Sequence, residues 1–301
     1  MARIALGTLA IAVACAGAVA AVSRGARHDA PIDALANAAL VERQTIQERL
    51  AFAPGAGGRR VDIDNYDGPV RVIAEERDDV ALVIHETVSA ESRELIVQAR
   101  RDVTLRHDAD GPTVRIKVCG PWCDRQGRDC CFHGWDRAGY RVQYEIEARV
   151  PPNVTLLART VQNGDVRVEG VRGDLVIENV NGSVSARGVS GKGTFGTVNG
   201  DLEVLFAANP DGPSRFSNVN GDIDVELRPG LAADVRLKTL NGEMWSDFPY
   251  TTLPLAGEVD RRNGRFVYAN NHTAAVRIAG GGPELSFETI NGEIRLRRKD
   301  H

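Results

Sequence analysis

Aromatic residues are scarce in this 301-residue chain, 5% in all, and the net charge is only −4. So weak a net charge sets up no strong field toward nucleic acid or an anionic membrane surface. No P-loop or dinucleotide fingerprint occurs, since "GAGG" at 55–58 sits in a turn with no helix after it. The histidines (His28, His85, His107, His133, His272 and His301) are scattered, and none lies with a Ser or Cys in a recognisable triad. Catalytic and cofactor chemistry therefore have no local signature, and the expectation is a non-enzyme without cofactor or metal.

What is present begins with a run of 19 uncharged residues, Ile4 to Val22, after Arg3. Ala18-Val19-Ala20 is an A-x-A cleavage signal, so residues 1–22 read as a secretory signal peptide. The same run could span a bilayer as an uncleaved anchor, attaching the chain to the membrane through residues 4–22. Lipidation at Cys15 is a third reading, although "AVAC" lacks the usual Leu. All three export residues 24–301 to the periplasm or cell surface. Residues 23–45 are Ala-rich and read as a tether.

Residues 46–150 read as strands, with one segment of helix formers after a Ser cap, "SAESRELIVQARRDV", that fits a helix or a charged strand. The four remaining cysteines, Cys119, Cys123, Cys130 and Cys131, crowd one segment, read as a hairpin tip over 119–134. An even count in an exported chain argues for disulfides. Bonding of the adjacent pair is strained, which leaves 119–130 with 123–131, or 119–131 with 123–130. A thiolate metal site with His133 and free redox-active thiols are the alternatives.

Residues 151–301 repeat one phrase: "TVQNGDV", "ENVNGSV", "TVNGDL", "SNVNGDI", "KTLNGEM" and "ETINGEI". Gly164, Gly173, Gly182, Gly191 and Gly200 fall nine residues apart, Gly221, Gly242 and Gly292 follow at wider spacing, and Gly68 is an earlier copy. The apolar parity runs through each Gly, as in Val198, Gly200 and Leu202. Each unit therefore reads as a seven-residue strand with an inward Gly and a two-residue corner. Ordering one unit costs about 9–18 kcal/mol of backbone entropy. Burying its two or three aliphatic side chains returns about 5–8 kcal/mol, so a unit is stable only when stacked. The expected fold is all-β, a β-solenoid or rolled stacked sheet, with an antiparallel meander of Asn-Gly hairpins as the alternative.

The acids after Gly (Asp165, Asp174, Asp201, Asp222, Glu243, Glu293) read as a solvated outer row. A Ca²⁺-binding nonapeptide would need G-G-x-G-x-D, and this chain has one Gly per unit.

The export segment, "FAPGAGGRRVDIDNYDGPVRV", the entry "VPPNVTL" and the array after it resemble the bacterial putative-adhesin family of β-strand-repeat proteins over residues 46–298. The resemblance implies an elongated all-β envelope protein with no agreed activity and no catalytic residues. The resulting expectation is a non-enzymatic structural or macromolecule-binding protein whose partner is an envelope glycan or protein. A membrane-anchored stress or signalling accessory and a carbohydrate-active enzyme are the alternatives.

Overall fold

The computed structural model describes residues 40–55, 57–123, 139–254, 259–262, 265–268 and 273–299. The expected export segment and the cysteines Cys130 and Cys131 lie outside them. Among the described residues, no helix is long and apolar enough to cross a membrane.

The chain is all-β, with 61% strand and 4% helix. Strands β1 (Leu40–Ala51), β2 (Arg60–Asp64), β3 (Val70–Ala74) and β4 (Asp79–Ala90) precede helix α1 (Arg93–Asp102). Then come β5 (Thr104–Asp110), β6 (Thr113–Cys119), β7 (Tyr140–Val150), β8 (Thr155–Arg159), β9 (Val166–Glu169), β10 (Leu175–Glu178) and β11 (Val184–Val189). Next are β12 (Gly193–Gly196), β13 (Leu202–Phe206), β14 (Ser214–Ser217), β15 (Ile223–Leu227), β16 (Ala233–Asn241) and β17 (Met244–Ser246). The chain ends with β18 (Tyr250–Thr252), β19 (Val259–Arg262), β20 (Arg265–Tyr268), β21 (Thr273–Ile278), β22 (Glu284–Asn291) and β23 (Ile294–Arg298).

Two large sheets form. One runs β1-β4-β7-β3-β9-β11-β13-β15-β23-β17, the other β18-β21-β16-β22-β14-β12-β10-β8-β2-β6-β5. From β8 to β15 successive strands alternate between the sheets, and each pairs in parallel with the strand two further on. Two strands and two corners therefore make one coil, and Val184 lies beside Leu202 of the next. The nine-residue spacing corresponds to half a coil. Because the pairing is parallel, the Asn-Gly pairs are not hairpin tips. Nor do their glycines lie inside strands: each falls in the corner between the sheets, so from β8 to β15 the seven-residue strand reading is replaced by four- to six-residue strands with longer corners.

The alternating apolar residues point between the sheets. One inward column runs Ile63, Ala158, Ile177, Phe195, Phe216, Phe287, Leu237, with every member buried. Its three phenylalanines stack at 5.2 and 4.6 Å between ring centres, and Phe206 meets two of them edge-on. In these four phenylalanines ring–ring packing adds to burial.

The coils do not stack wholly in chain order. The coil β22–β23, last in sequence, lies between β14–β15 and β16–β17, pairing in parallel with both. Strand β21 then covers the far side of β16 in antiparallel fashion, and β18 covers β21.

At the other end β1, β4 and β7 extend one sheet in antiparallel order, while β5 and β6 extend the other. Strands β6 and β7, which flank the cysteine segment, lie in different sheets, and residues 124–138 of that segment lie outside the described residues. Helix α1 packs on β4 and β7 through Ile96 and Ala99. The Ser92 side chain accepts from the Leu95 N–H at 3.3 Å, as the N-cap reading expects. Buried Glu86 accepts from the Tyr144 hydroxyl at 2.8 Å and lies 3.5 Å from Arg100 of α1, which also pairs with Glu42 of β1 at 2.9 Å.

Candidate functional site at the Asn-Gly corner

The repeated phrase builds the corner from the second sheet to the first, and each of its positions becomes a column along the stack. The glycines line up as Gly68, Gly164, Gly182, Gly200, Gly221, Gly292 and Gly242, each against the backbone of the one before. A Cβ on Gly200 would sit 2.5 Å from the Gly182 oxygen and 2.6 Å from its carbon, and its φ of +144° suits only Gly. Gly68 packs on the Tyr144 carbonyl and closes the column. Gly173 and Gly191 stand at the opposite corner, Gly173 against the Val154 carbonyl and Gly191 against Gly173.

The residue before Gly forms an exposed amide ladder. Asn199 Nδ2 donates to Asn181 Oδ1 at 2.9 Å and Asn220 to Asn199 at 2.9 Å; Asn291 donates to Asn220 at 2.8 Å and Asn241 to Asn291 at 2.8 Å. Each inner carboxamide spends one N–H and one carbonyl lone pair on this ladder, so the second of each remains for solvent or a ligand. Beside it runs an aliphatic rib. Val161, Val180, Val198 and Val219 are half-buried, while Ile290 and Leu240 in the last two coils are 42% and 60% exposed.

Under the rib lies a column not anticipated from sequence: Asn65, Thr160, Asn179, Thr197, Asn218, Thr289 and Thr239, all buried. Each donates to a Gly carbonyl of the corner, as Thr160 Oγ1 does to Gly68 at 2.8 Å and Asn218 Nδ2 to Gly200 at 2.8 Å. Asn65, Asn179 and Asn218 also accept the next residue's N–H at 2.7–2.9 Å, a local bond at the start of the corner. The signal was legible: Thr or Asn always precedes the aliphatic residue of the phrase.

The acids after Gly do more than solvate. Asp165 Oδ1 accepts the Ser183 N–H at 3.0 Å, Asp201 the Asp222 N–H at 3.1 Å, and Asp222 the Glu293 N–H at 2.9 Å. Arginines neutralise several of them, with Arg167 on Asp165 at 3.0 Å and Arg295 on Asp222 at 3.3 Å. Asp174 stands at the opposite corner, paired with Lys192 at 3.3 Å. The carboxylates are thus spread along the stack, at most one at each corner, with Ser183 in place of an acid after Gly182. Two concave sites lie elsewhere. One, of about 340 Å³, holds Asp234 and Glu284, but both are ion-paired, to Arg277 at 2.7 Å and Arg236 at 3.1 Å. No three metal-ligating side chains come together among the described residues.

Cys119 is buried at the end of β6 and Cys123 is half-buried, and no disulfide joins them. Burial, then a hydrogen bond with Cys119, pushes the Cys123 thiol up to about 12. It is therefore protonated at neutral pH and unlike a reactive thiolate. The pairings expected with Cys130 and Cys131 fall outside the described residues.

The fold and this corner define a class: an all-β protein of two large mixed sheets, parallel-paired in their middle, whose repeated residues serve the stack. No family model and no curated protein matches the chain. Among solved structures it is similar to a "putative cell adhesion protein" from Clostridium sporogenes, at 9% identity and a TM-score of 0.39, over 86% of this chain and 100% of that one. It is also similar to a "putative lipid binding protein" from Parabacteroides distasonis, at 9% identity and TM-score 0.30, over 86% and 97%. A "putative adhesin" from Bacteroides fragilis matches at 9% and 0.24, over 85% and 97%. Likenesses this distant decide neither ligand nor activity.

Proposed function

We propose that this chain is a non-enzymatic, exported cell-envelope protein, a two-sheet β-solenoid that binds an envelope polymer along its Asn-Gly corner. The observation that carries this reading is the strip of rib and ladder, Val161 to Leu240 and Asn181 to Asn241. It is uncharged along its length, while the outer sheet faces beside it carry ion pairs such as Arg187–Glu203 and Arg297–Asp224. Unspent amide groups recur once per coil, about every 4.8 Å. A peptide laid along the stack would advance about 3.3 Å per residue and fall out of step with them. An uncharged glycan offers hydroxyls to the amides and C–H faces to the rib.

The test is co-sedimentation of the exported chain with insoluble uncharged β-1,4-linked glycans and, separately, capture from intact envelopes. Ile290→Ser with Leu240→Ser, both on exposed positions, should abolish glycan binding and leave the melting temperature unchanged, whereas Arg187→Gln should leave binding intact. Capture of a protein that the rib variant still binds would defeat the glycan reading. Turnover of the glycan would defeat the non-enzymatic one.

A further inference from the structure

The Asn-Gly dipeptides of this corner share a sequence but not a hydrogen-bond environment. Gly182 N–H donates to the Asn199 carbonyl at 2.8 Å, Gly200 to Asn220 at 3.0 Å, Gly221 to Asn291 at 2.9 Å and Gly292 to Asn241 at 3.0 Å. The Gly242 N–H has no acceptor among the described residues, because its coil is the last of the stack. The Gly164 N–H has none either. There the extra residue Asn163, at φ 53°, breaks the register: Asn181 N–H bonds to the Val161 carbonyl as its counterparts do in the other coils, but the Asn181 carbonyl receives no Gly N–H. Asn163 and Asn241 are both exposed.

We infer that, of the six Asn-Gly dipeptides of this corner, Asn241 and Asn163 are the sites of spontaneous deamidation in the folded protein, and that the stack protects the four between coils. In this reaction the backbone nitrogen of the following Gly gives up its proton and attacks the Asn Cγ. The bond from Cγ to Nδ2 breaks, ammonia leaves, and a five-membered succinimide remains. Water then opens the ring at either carbonyl, giving aspartate or isoaspartate. Overall, a carboxamide and water become a carboxylate and ammonium, with no oxidant or catalyst. Asn-Gly is favourable for this step because Gly has no side chain to hinder the ring.

In a protected dipeptide the attacking N–H is already committed to the neighbouring coil; the carboxamide makes no such difference, since Asn241 donates to Asn291 and Asn163 to Asp67 at 3.2 Å. Reaction there requires local opening of the stack. At Asn241 the nitrogen needs no such opening. The product would place a new negative charge beside Glu243 in the terminal coil, so ageing would start at that end. This inference does not rest on the binding reading above.

The experiment incubates the full chain at mildly alkaline pH, native and in concentrated urea, and follows the six Asn-Gly peptides of this corner by mass spectrometry with enzymatic isoaspartate labelling. In the native protein Asn241 and Asn163 should react about tenfold or more faster than Asn181, Asn199, Asn220 and Asn291, a ratio typical of a modest opening free energy. In urea the six rates should converge. Equal native rates would overturn the inference. So would a native order that persists unchanged in urea, because local sequence and not the stack would then set it.

Discussion

The Thr197 hydroxyl donates to the Gly182 carbonyl of the preceding coil at 2.8 Å, from a side chain only 5% exposed. That bond repeats down the stack with Thr or Asn as donor, so chemistry and not shape selects the residue. Thr197→Val keeps the volume but leaves a buried carbonyl without its donor. It should cost about 1–3 kcal/mol in denaturant unfolding. Thr197→Asn should cost far less, since Asn179 and Asn218 fill the same place in neighbouring coils and bond the equivalent carbonyls at 2.8 Å. Equal losses for both variants would refute the capping role.

Gly200 and Asp201 separate the two uses of the corner. A side chain at 200 meets the Gly182 backbone at 2.5–2.6 Å in a left-handed region, so Gly200→Ala should destabilise by about 3 kcal/mol or more. Asp201→Asn keeps an oxygen to accept the Asp222 N–H and should stay within about 1 kcal/mol. Thermal melts of the two variants decide the matter, and equal midpoints would remove the close-approach argument.

These contrasts show what was legible in the sequence. Alternation such as Leu202, Val204 and Phe206 marks strands wherever one face is buried, so the all-β class followed from it. The role of Gly in admitting a neighbouring backbone was legible too, but its place was not. Both corners of a coil need a small residue against the coil before, one filled by Gly182 and Gly200, the other by Gly173 and Gly191. The sequence period is therefore half the structural one, and the parity through Val198, Gly200 and Leu202 imitates a continuous strand. The inverted order of the last two coils left no local mark. Gly242 and Gly292 carry the same phrase, and their order is set by non-local pairing of β16 with β21 and β22. Likewise, "TVRIKV" and "YRVQYEIEARV" each read as strands, but only long-range pairing puts them in different sheets.

Glu203 ties the stability of the outer face to pH. Burial tends to raise its pKa, but hydrogen bonds from Arg187 at 2.8 Å and Ser185 at 3.1 Å outweigh this and hold it below the usual value. A carboxylate lowered on folding contributes stability above its unfolded value, about 4.3, and loses it as pH falls through the lower folded value. Because the pair is well exposed, the contribution should be only about 0.5 kcal/mol. Glu203→Gln should be less stable than wild type by that amount at neutral pH and equal to it in acid. A gap that persists below the folded value would show that packing, and not charge, is responsible.

Phe216 joins two coils that are neighbours in chain order to one that is not. Its ring stacks on Phe195 at 5.2 Å and on Phe287 at 4.6 Å, and Phe287 belongs to the coil inserted from the end of the chain. All three rings are buried. Removing the middle ring opens a cavity that rigid strands on either side cannot close, so Phe216→Ala should cost about 3–5 kcal/mol. The inserted coil should suffer most, because Phe287 loses its stacking partner while β22 keeps its backbone pairing with β16. Hydrogen exchange would then show reduced protection in β22 and β23 ahead of β10 and β11. Uniform loss of protection over the whole stack would mean that this ring contributes burial without holding the inserted coil in particular.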